Sequence, residues 1–415
     1  MKRNIIVGQS GGPTAAINSS LAGVYRTAID RGAKKVYGML HGVQGLLNEH
    51  YLDLSDYIKT DLDVELLKRT PAAFLGSCRF KLPGIHEDKA VYEKLFAILD
   101  KLDIEAFIYI GGNDSMDTIK KLSDYAILTG HSTRFIGCPK TIDNDLALTD
   151  HTPGYGSAAK YIGTSMKEII RDSFCLEYPQ GLVTIVEVMG RNAGWLTGAA
   201  ALSKCEDCDG PDMIYLPEVV FDPEDFKKKV KQLLTKKPSV VVAVSEGIRT
   251  ADGRYVCELG NTSDFVDAFG HKQLTGTASY LASFISKELG AKTRAIEFST
   301  LQRAGSHIAS RVDILEAYSV GGAAVKAADE GDSGMMVTLQ RTSEDPYQCQ
   351  TAVKNVHKIA NDEKCVPREW ITKDGTYVTD EFVAYVKPLI QGDVSPVMVD
   401  GIPRHLYTPK ELYKK

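Results

Sequence analysis

At 415 residues, 43% hydrophobic and 25% charged, the chain is long enough for two domains and has an ordinary globular composition. A net charge of -5 argues against a nucleic-acid binder working through bulk positive charge, and no apolar run of about 18 residues suggests a membrane span. The opening MKRNIIVGQSGG loses its apolar character at Gly8, too early for a signal peptide, so a cytoplasmic location is expected.

Strand, turn and helix then repeat along the chain. NIIVGQ is a short apolar run broken by SGGPT, after which Ile17, Leu21, Val24 and Ala28 recur at helical spacing. AFIYIGGND repeats the theme, with Phe107 to Ile110 as a buried strand, and RFIGCPKT does so again. LVTIVEVMGRNAGW and SVVVAVSEG are two more apolar runs that lead into glycine. Runs this continuous fit strands buried on both sides, in an α/β fold whose mostly parallel sheet carries helices on both faces. Eight cysteines do not suggest a disulfide framework, and Cys205 and Cys208 lack the second C-x-x-C that a structural zinc site needs. Lys227 to Lys237 reads as a solvated helix face. Beyond about residue 340 the chain turns polar and irregular, with no assignable chemistry.

SGG, GGND, PKTIDND, MGRN and SEG each follow a strand directly. In an open parallel sheet such segments meet at the carboxyl edge, where ligands bind. Gly11 and Gly12 lack Cβ atoms, so their N–H groups can approach a phosphate beside a helix start; a plain tight turn explains the same letters, and no Walker A pattern is present. GGNDSMDT places Asn113, Asp114, Ser115 and Asp117 at a helix start, where acidic residues are also routine caps. PKTIDND presents a lysine and two aspartates directly after a strand. It is either a polar loop turning at Asn144-Asp145 or a site that handles a phosphate and a metal. Arg191 is either a surface ion-pair partner or a bidentate grip on a sugar phosphate. GYGSAA, Gly154 to Ala159, fits the dinucleotide pattern G-x-G-x-x-A but follows a polar loop, so it reads as a turn into a helix from about Ser157.

Together SGGPTAAIN, FLGSCRF, IGGNDS, PKTIDND, VEVMGRNAGW, VSEG and TRAIEFSTLQRAG resemble the phosphofructokinase family, its pyrophosphate-dependent branch in particular, over roughly residues 5 to 320. The resemblance implies two Rossmann-like open sheets, mostly parallel, with helices on both faces and a site in the cleft between them. It implies a phosphoryl-donor domain over 1–154, rejoined by about 303–355, a fructose 6-phosphate domain over 155–302, and an extension of unassigned role over 356–415. The implied reaction is reversible transfer of a phosphoryl group from pyrophosphate to C1 of fructose 6-phosphate, a glycolytic step, with Mg2+ at Asn113 and Asp145. Asp143 would take the proton of the C1 hydroxyl, with Lys140 and Asp114 completing the catalytic set. Gly11, Gly12, Arg79, Asp114 and Lys140 would hold the donor. Thr141, Ile142, Asp143, Met189, Gly190, Arg191, Glu246, Arg294, Thr300 and Arg303 would take the sugar phosphate. Arg294 and Arg303 form its phosphate clamp, one reaching from a neighbouring subunit, which implies a homodimer or homotetramer. No nucleic-acid or membrane partner is implied.

ATP-dependent members carry glycine at the Lys140 position and a small residue at the Asp114 position. Lys140 would stabilise the phosphoryl group in flight. Asp114 would occupy the space of a nucleotide α-phosphate, and like charges about 4 Å apart repel by ~4 kcal/mol at an intermediate dielectric. The chain departs from the family pattern at Asn113, a neutral amide in place of a metal aspartate, at Thr300 in place of a histidine, and at Leu182 in place of an arginine. Three alternatives stay open: an ATP-dependent 6-phosphofructokinase, a non-catalytic sugar-phosphate or nucleotide sensor on the same fold, and a nicotinamide oxidoreductase resting on GYGSAA alone.

Overall fold

The computed structural model describes residues 1–260, 274, 276–359 and 363–413. In chain order its principal strands are β1 (Asn4–Gln9), β2 (Val36–Met39), β3 (Tyr51–Asp53), β4 (Ile104–Gly111), β5 (Arg134–Pro139) and β6 (Leu182–Val188). They continue with β7 (Met213–Tyr215), β8 (Ser239–Ser245), β9 (Lys292–Glu297), β10 (Met335–Glu344) and β11 (Tyr347–Asn355). The five apolar runs read from the sequence are β1, β4, β5, β6 and β8.

Successive side chains of a strand point to opposite faces, and here both faces are buried. Ile5 and Val7 of β1 enter one apolar cluster while Ile6 enters another. The first cluster is closed by helices Ile17–Asp30 and Arg311–Glu330, the second by helices Lys89–Lys101 and Asn113–Thr129. This larger sheet runs β11-β10-β5-β4-β1-β2-β3. Its five central strands are parallel, and each edge strand is antiparallel to its neighbour.

A second sheet, β7-β8-β6-β9, is parallel throughout. Val186 and Val241 face a cluster with helix Tyr155–Phe174, while Ile185 and Val242 face helices Pro223–Leu234 and Thr277–Leu289. The fold is thus the expected mixed α/β arrangement of two sheets with helices on both faces. Among the described residues no helix is long and apolar enough to cross a membrane.

The expectation of irregular chain beyond residue 340 fails at its start. β10 and β11 form a long antiparallel hairpin on the sheet edge. β11 has no fully buried residue, so it lacks the continuous apolar run that marks an interior strand. After the hairpin the chain packs against the layers of both sheets. Phe382, Val386 and Leu389 are buried beneath the smaller sheet, where the Phe382 ring stacks on Trp195 with centroids 5.9 Å apart. Leu406 is buried in a cluster of the larger sheet, and its N–H donates to Thr70 Oγ1 at 2.9 Å.

Because Phe382 is wholly buried, Phe382→Ala is expected to lower stability by about 3–5 kcal/mol, read from urea unfolding. A loss below about 1 kcal/mol would mean that the tail adds no core to the smaller domain.

Candidate active site

The loops after β1, β4, β5, β6 and β8 meet at one cavity of about 480 Å³. Gly11 holds φ 76, a left-handed conformation that glycine adopts without strain. Its N–H donates to the Cys78 carbonyl at 3.1 Å and its carbonyl accepts from Ser77 Oγ at 2.5 Å, which brings the neighbouring Arg79 to the cavity. The Lys140 ammonium, 2% exposed, donates to the Gly12 carbonyl at 2.6 Å. A Cβ on Gly11 would stand 3.5 Å from Lys140 Nζ, and one on Gly12 would stand 3.5 Å from Arg303 Nη1. Three cationic side chains therefore converge around a bare glycine turn, an arrangement suited to a polyanion. Burial lowers the Lys140 pKa to about 8; Asp143 acts against that fall and Arg303 adds to it. Asp114 sits exposed in the first turn of helix Asn113–Thr129, on the rim of the same cavity.

The loop after β5 is fixed by its own side chains. Asp143 N–H donates to Thr141 Oγ1 at 3.1 Å, and that hydroxyl donates to Asp143 Oδ2 at 3.4 Å. Asn144 is wholly buried at φ 55. Its Nδ2 donates to Tyr385 Oη at 2.9 Å and its Oδ1 accepts from Thr152 N–H at 3.1 Å. This turn leaves Asp143 and Asp145 both lining the cavity. Burial raises the pKa of each. Lys140 and the Thr141 hydroxyl act against that rise in Asp143, whereas the Asp143 charge helps push Asp145 to about 7. Further along, buried His151 is bracketed by Asp150 at 2.8 Å and Glu316 at 2.6 Å. Burial opposes its charge, but the two acids hold its pKa above the usual value.

Among the described residues, Asp145 Oδ1 is closed to solvent and has no hydrogen-bond partner. An unpaired buried carboxylate oxygen is costly. Hard oxygen donors are what a divalent cation of the Mg2+ type takes, and the Asn113 amide lines the same cavity. The residues present fit such an ion.

Across the cleft, Glu246 Oε1 accepts from Gly190 N–H at 3.4 Å. Burial pushes the Glu246 pKa to about 8; that hydrogen bond opposes the rise and Asp143 reinforces it. Met189, Arg191, Thr141 and Ile142 line the cavity beside it, and Gly190 lies behind, holding Glu246. Arg303, expected at the sugar phosphate, also reaches the Gly12 turn and so stands between the two halves of the site.

Besides Gly190, two expected residues do not line the cavity. Arg294 sits in mid-strand on β9, level with Thr184, and pairs with Asp172 at 2.7 Å. Only a residue at the carboxyl end of its strand could reach the cleft. Thr300 is exposed ahead of the short helix Leu301–Ala304. In the opposite direction, Glu363 lines the cavity although the sequence offered no role for 356–415. GYGSAA is a capped helix start: the helix begins at Tyr155, earlier than expected, and buried Asp313 accepts from Gly154 N–H at 2.8 Å and Ser157 N–H at 3.0 Å. The helix terminus that a dinucleotide would need is already filled.

The profile of the Phosphofructokinase family matches residues 4–328. The chain belongs to the phosphofructokinase family. It is 40% identical, over 97% of its length and 95% of the relative's, to a pyrophosphate–fructose 6-phosphate 1-phosphotransferase of Xanthomonas campestris pv. campestris (strain B100). It is 39% identical, with the same coverage, to one of Methylococcus capsulatus (strain ATCC 33009 / NCIMB 11132 / Bath). The crystal structure of a pyrophosphate-dependent phosphofructokinase from Nitrosospira multiformis matches it with a TM-score of 0.87 at 36% identity, over 97% of this chain and 95% of that one.

In this chain the turn at Asn144 decides where two carboxylates point. Asn144→Ala removes both side-chain bonds and places alanine at a left-handed position, an expected loss of about 2–4 kcal/mol in urea unfolding. Asn144→Gly tolerates the backbone conformation and should lose measurably less; equal losses would exclude backbone strain as a contributor.

Proposed function

We propose that the protein catalyses reversible phosphoryl transfer from pyrophosphate to the C1 hydroxyl of fructose 6-phosphate, giving fructose 1,6-bisphosphate and phosphate, as a glycolytic phosphotransferase of the cytoplasm. The observation that carries this reading is the placing of buried Lys140 against the Gly11–Gly12 turn, with Asp143 on the same loop and Asp114 at the rim. The similarity to pyrophosphate-dependent enzymes along nearly the whole chain supports it.

Phosphoryl transfer asks a protein mainly for positioning and charge neutralisation. In this reading 1–154, with about 303–355, presents the donor, and 155–302 presents the sugar phosphate. The Gly11 and Gly12 backbone, Arg79 and Lys140 hold pyrophosphate. A polyanion beside Lys140 raises its pKa again, so the lysine is cationic when the donor is bound. Asp143 accepts the hydroxyl proton; burial makes it a stronger base than an exposed carboxylate, while Lys140 and Thr141 favour its charged form. Met189, Gly190, Arg191 and Glu246 bind the sugar. Arg303 lies where it can touch both substrates. Asp145 and Asn113 hold a divalent metal, assigned as Mg2+, whose charge neutralises phosphate oxygens when it is bound. Arg294, on an exposed edge strand, is assigned to the site of a neighbouring subunit in a homodimer or homotetramer.

The ATP-dependent alternative meets two obstacles in one cavity: Asp114 repels a longer polyphosphate, and Lys140 fills the space beside the glycine turn. Assays with each donor at equal concentration are expected to show turnover with pyrophosphate and little with ATP. Faster turnover with ATP would falsify the donor assignment and leave the rest of the site intact.

Asp143→Ser is expected to lower kcat by about 10²–10⁴ while fructose 6-phosphate still binds, measured by steady-state kinetics and calorimetry. Near-native kcat removes Asp143 from the role of base. Asp114→Gly is expected to admit ATP while keeping part of the pyrophosphate activity, whereas Lys140→Gly should damage kcat with pyrophosphate severely. The reverse pattern would interchange the two roles.

A further inference from the structure

One carboxylate of the cavity belongs to neither sheet and lies beyond the stretch matched by the family profile. Glu363 is contributed by the chain that returns from the β10–β11 hairpin. It arrives beside Asp145 through the backbone: Glu363 pairs with Leu146 in an antiparallel bridge, and Lys364 N–H donates to the Asp145 carbonyl at 2.8 Å. The position is held from both sides of the cleft. Asn192 Nδ2, in the loop after β6, donates to Glu363 Oε1 at 3.0 Å. Lys364 Nζ donates to the Thr149 and Asp150 carbonyls at 3.3 and 2.5 Å, and the Lys364 carbonyl accepts from Trp195 Nε1 at 2.8 Å. Val366 N–H donates to Glu218 Oε1 at 2.9 Å. Seven residues of two domains thus fix where one exposed glutamate stands.

Glu363 adds a fifth carboxyl group to a cavity that already holds Asp114, Asp143, Asp145 and Glu246, beside the cations Arg79, Lys140, Arg191 and Arg303. Asp145 Oδ1 waits unpartnered and closed to solvent, and the other metal-type donor beside it, Asn113, is neutral. One carboxylate and one amide leave a dication under-neutralised before substrate arrives. Lys364, the nearest lysine in sequence, is spent on backbone carbonyls. Mg2+ keeps several of its waters when protein-bound, and outer carboxylates that accept from such waters strengthen binding. Resting on the metal-dependent reading above, we propose that Glu363 is a metal-positioning residue. It accepts a hydrogen bond from a water of the cation at Asp145 and supplies the charge that Asn113 does not.

The test measures Mn2+ affinity by electron paramagnetic resonance in the presence of methylenediphosphonate, a pyrophosphate analogue that is not turned over. Glu363→Gln is expected to weaken Mn2+ binding about tenfold or more, with the melting temperature of the metal-free protein unchanged. Adding Asn113→Asp to Glu363→Gln is expected to restore most of the lost affinity, because it returns a negative charge to the same ion. Mn2+ affinity of Glu363→Gln within about twofold of the native protein overturns the proposal. So does a fall in the metal-free melting temperature with no rescue by Asn113→Asp, which would mark Glu363 as structural. Pyrophosphate-dependent turnover of the native protein is assayed on the same preparation. Its absence removes the functional reading itself, and its presence with unchanged Mn2+ affinity removes only the role of Glu363.

Discussion

A strand buried on both faces takes a polar side chain in its middle only when that side chain is paired, as Thr184 is with Ser173, and otherwise keeps polar groups for its ends. β1, β4, β5, β6 and β8 are all of this kind, and parallel pairing brings their ends to the same side of each sheet. With the two sheets facing one cleft, the polar residues excluded from ten strand faces are concentrated in a single cavity. Burial then moves three of its enclosed groups in the direction of neutrality, Lys140 downward and Asp145 and Glu246 upward. Such a site is poorly satisfied when empty. A polyanion relieves its cations and a metal relieves its acids, so affinity for both follows from the fold's own geometry.

Much of this was legible in the sequence because it is local. A continuous apolar run followed by glycine and a polar residue identifies both the strand and the end that carries chemistry, and the loops at Gly11–Gly12, Asn113–Asp114, Lys140–Asp145, Gly190–Arg191 and Glu246 were found in that way, whereas Arg79 came only from the resemblance. Arg294 and Thr300 were read from a resemblance without that positional check. Arg294 is mid-strand, which no motif reveals. The β10–β11 hairpin was unreadable for the opposite reason, since an edge strand with a solvated face resembles loop in composition. Asp313 caps a helix start 159 residues earlier in the chain, and Lys364 anchors to Asp150 across 214 residues. Contacts of that separation leave no periodic trace.

In the proposed reading the two residues that select the donor would act at different depths. Asp114 is exposed at the mouth, where screening is strong and charge would work by turning away what enters. Lys140 is sealed inside, where its charge is undiluted by water and would act on what stays. On that reading, discrimination at entry and stabilisation during reaction could be altered separately by substitution, although both residues face one cavity.

The return of the chain across both domains also sets an order in time. The last strand of either sheet ends at Asn355, so both sheets can be complete while the following segment is still being synthesised. Only then do Lys364 reach the carbonyls of Thr149 and Asp150, Phe382 reach the underside of the smaller sheet and Leu406 reach Thr70. Domains tend to fold as they emerge from the ribosome, and here the brace behind Asp145 emerges after the strands of both sheets. A nascent chain can be well folded by every measure of its sheets and still lack a finished loop at Asp143–Asp145, so completion of that loop follows completion of the sheets.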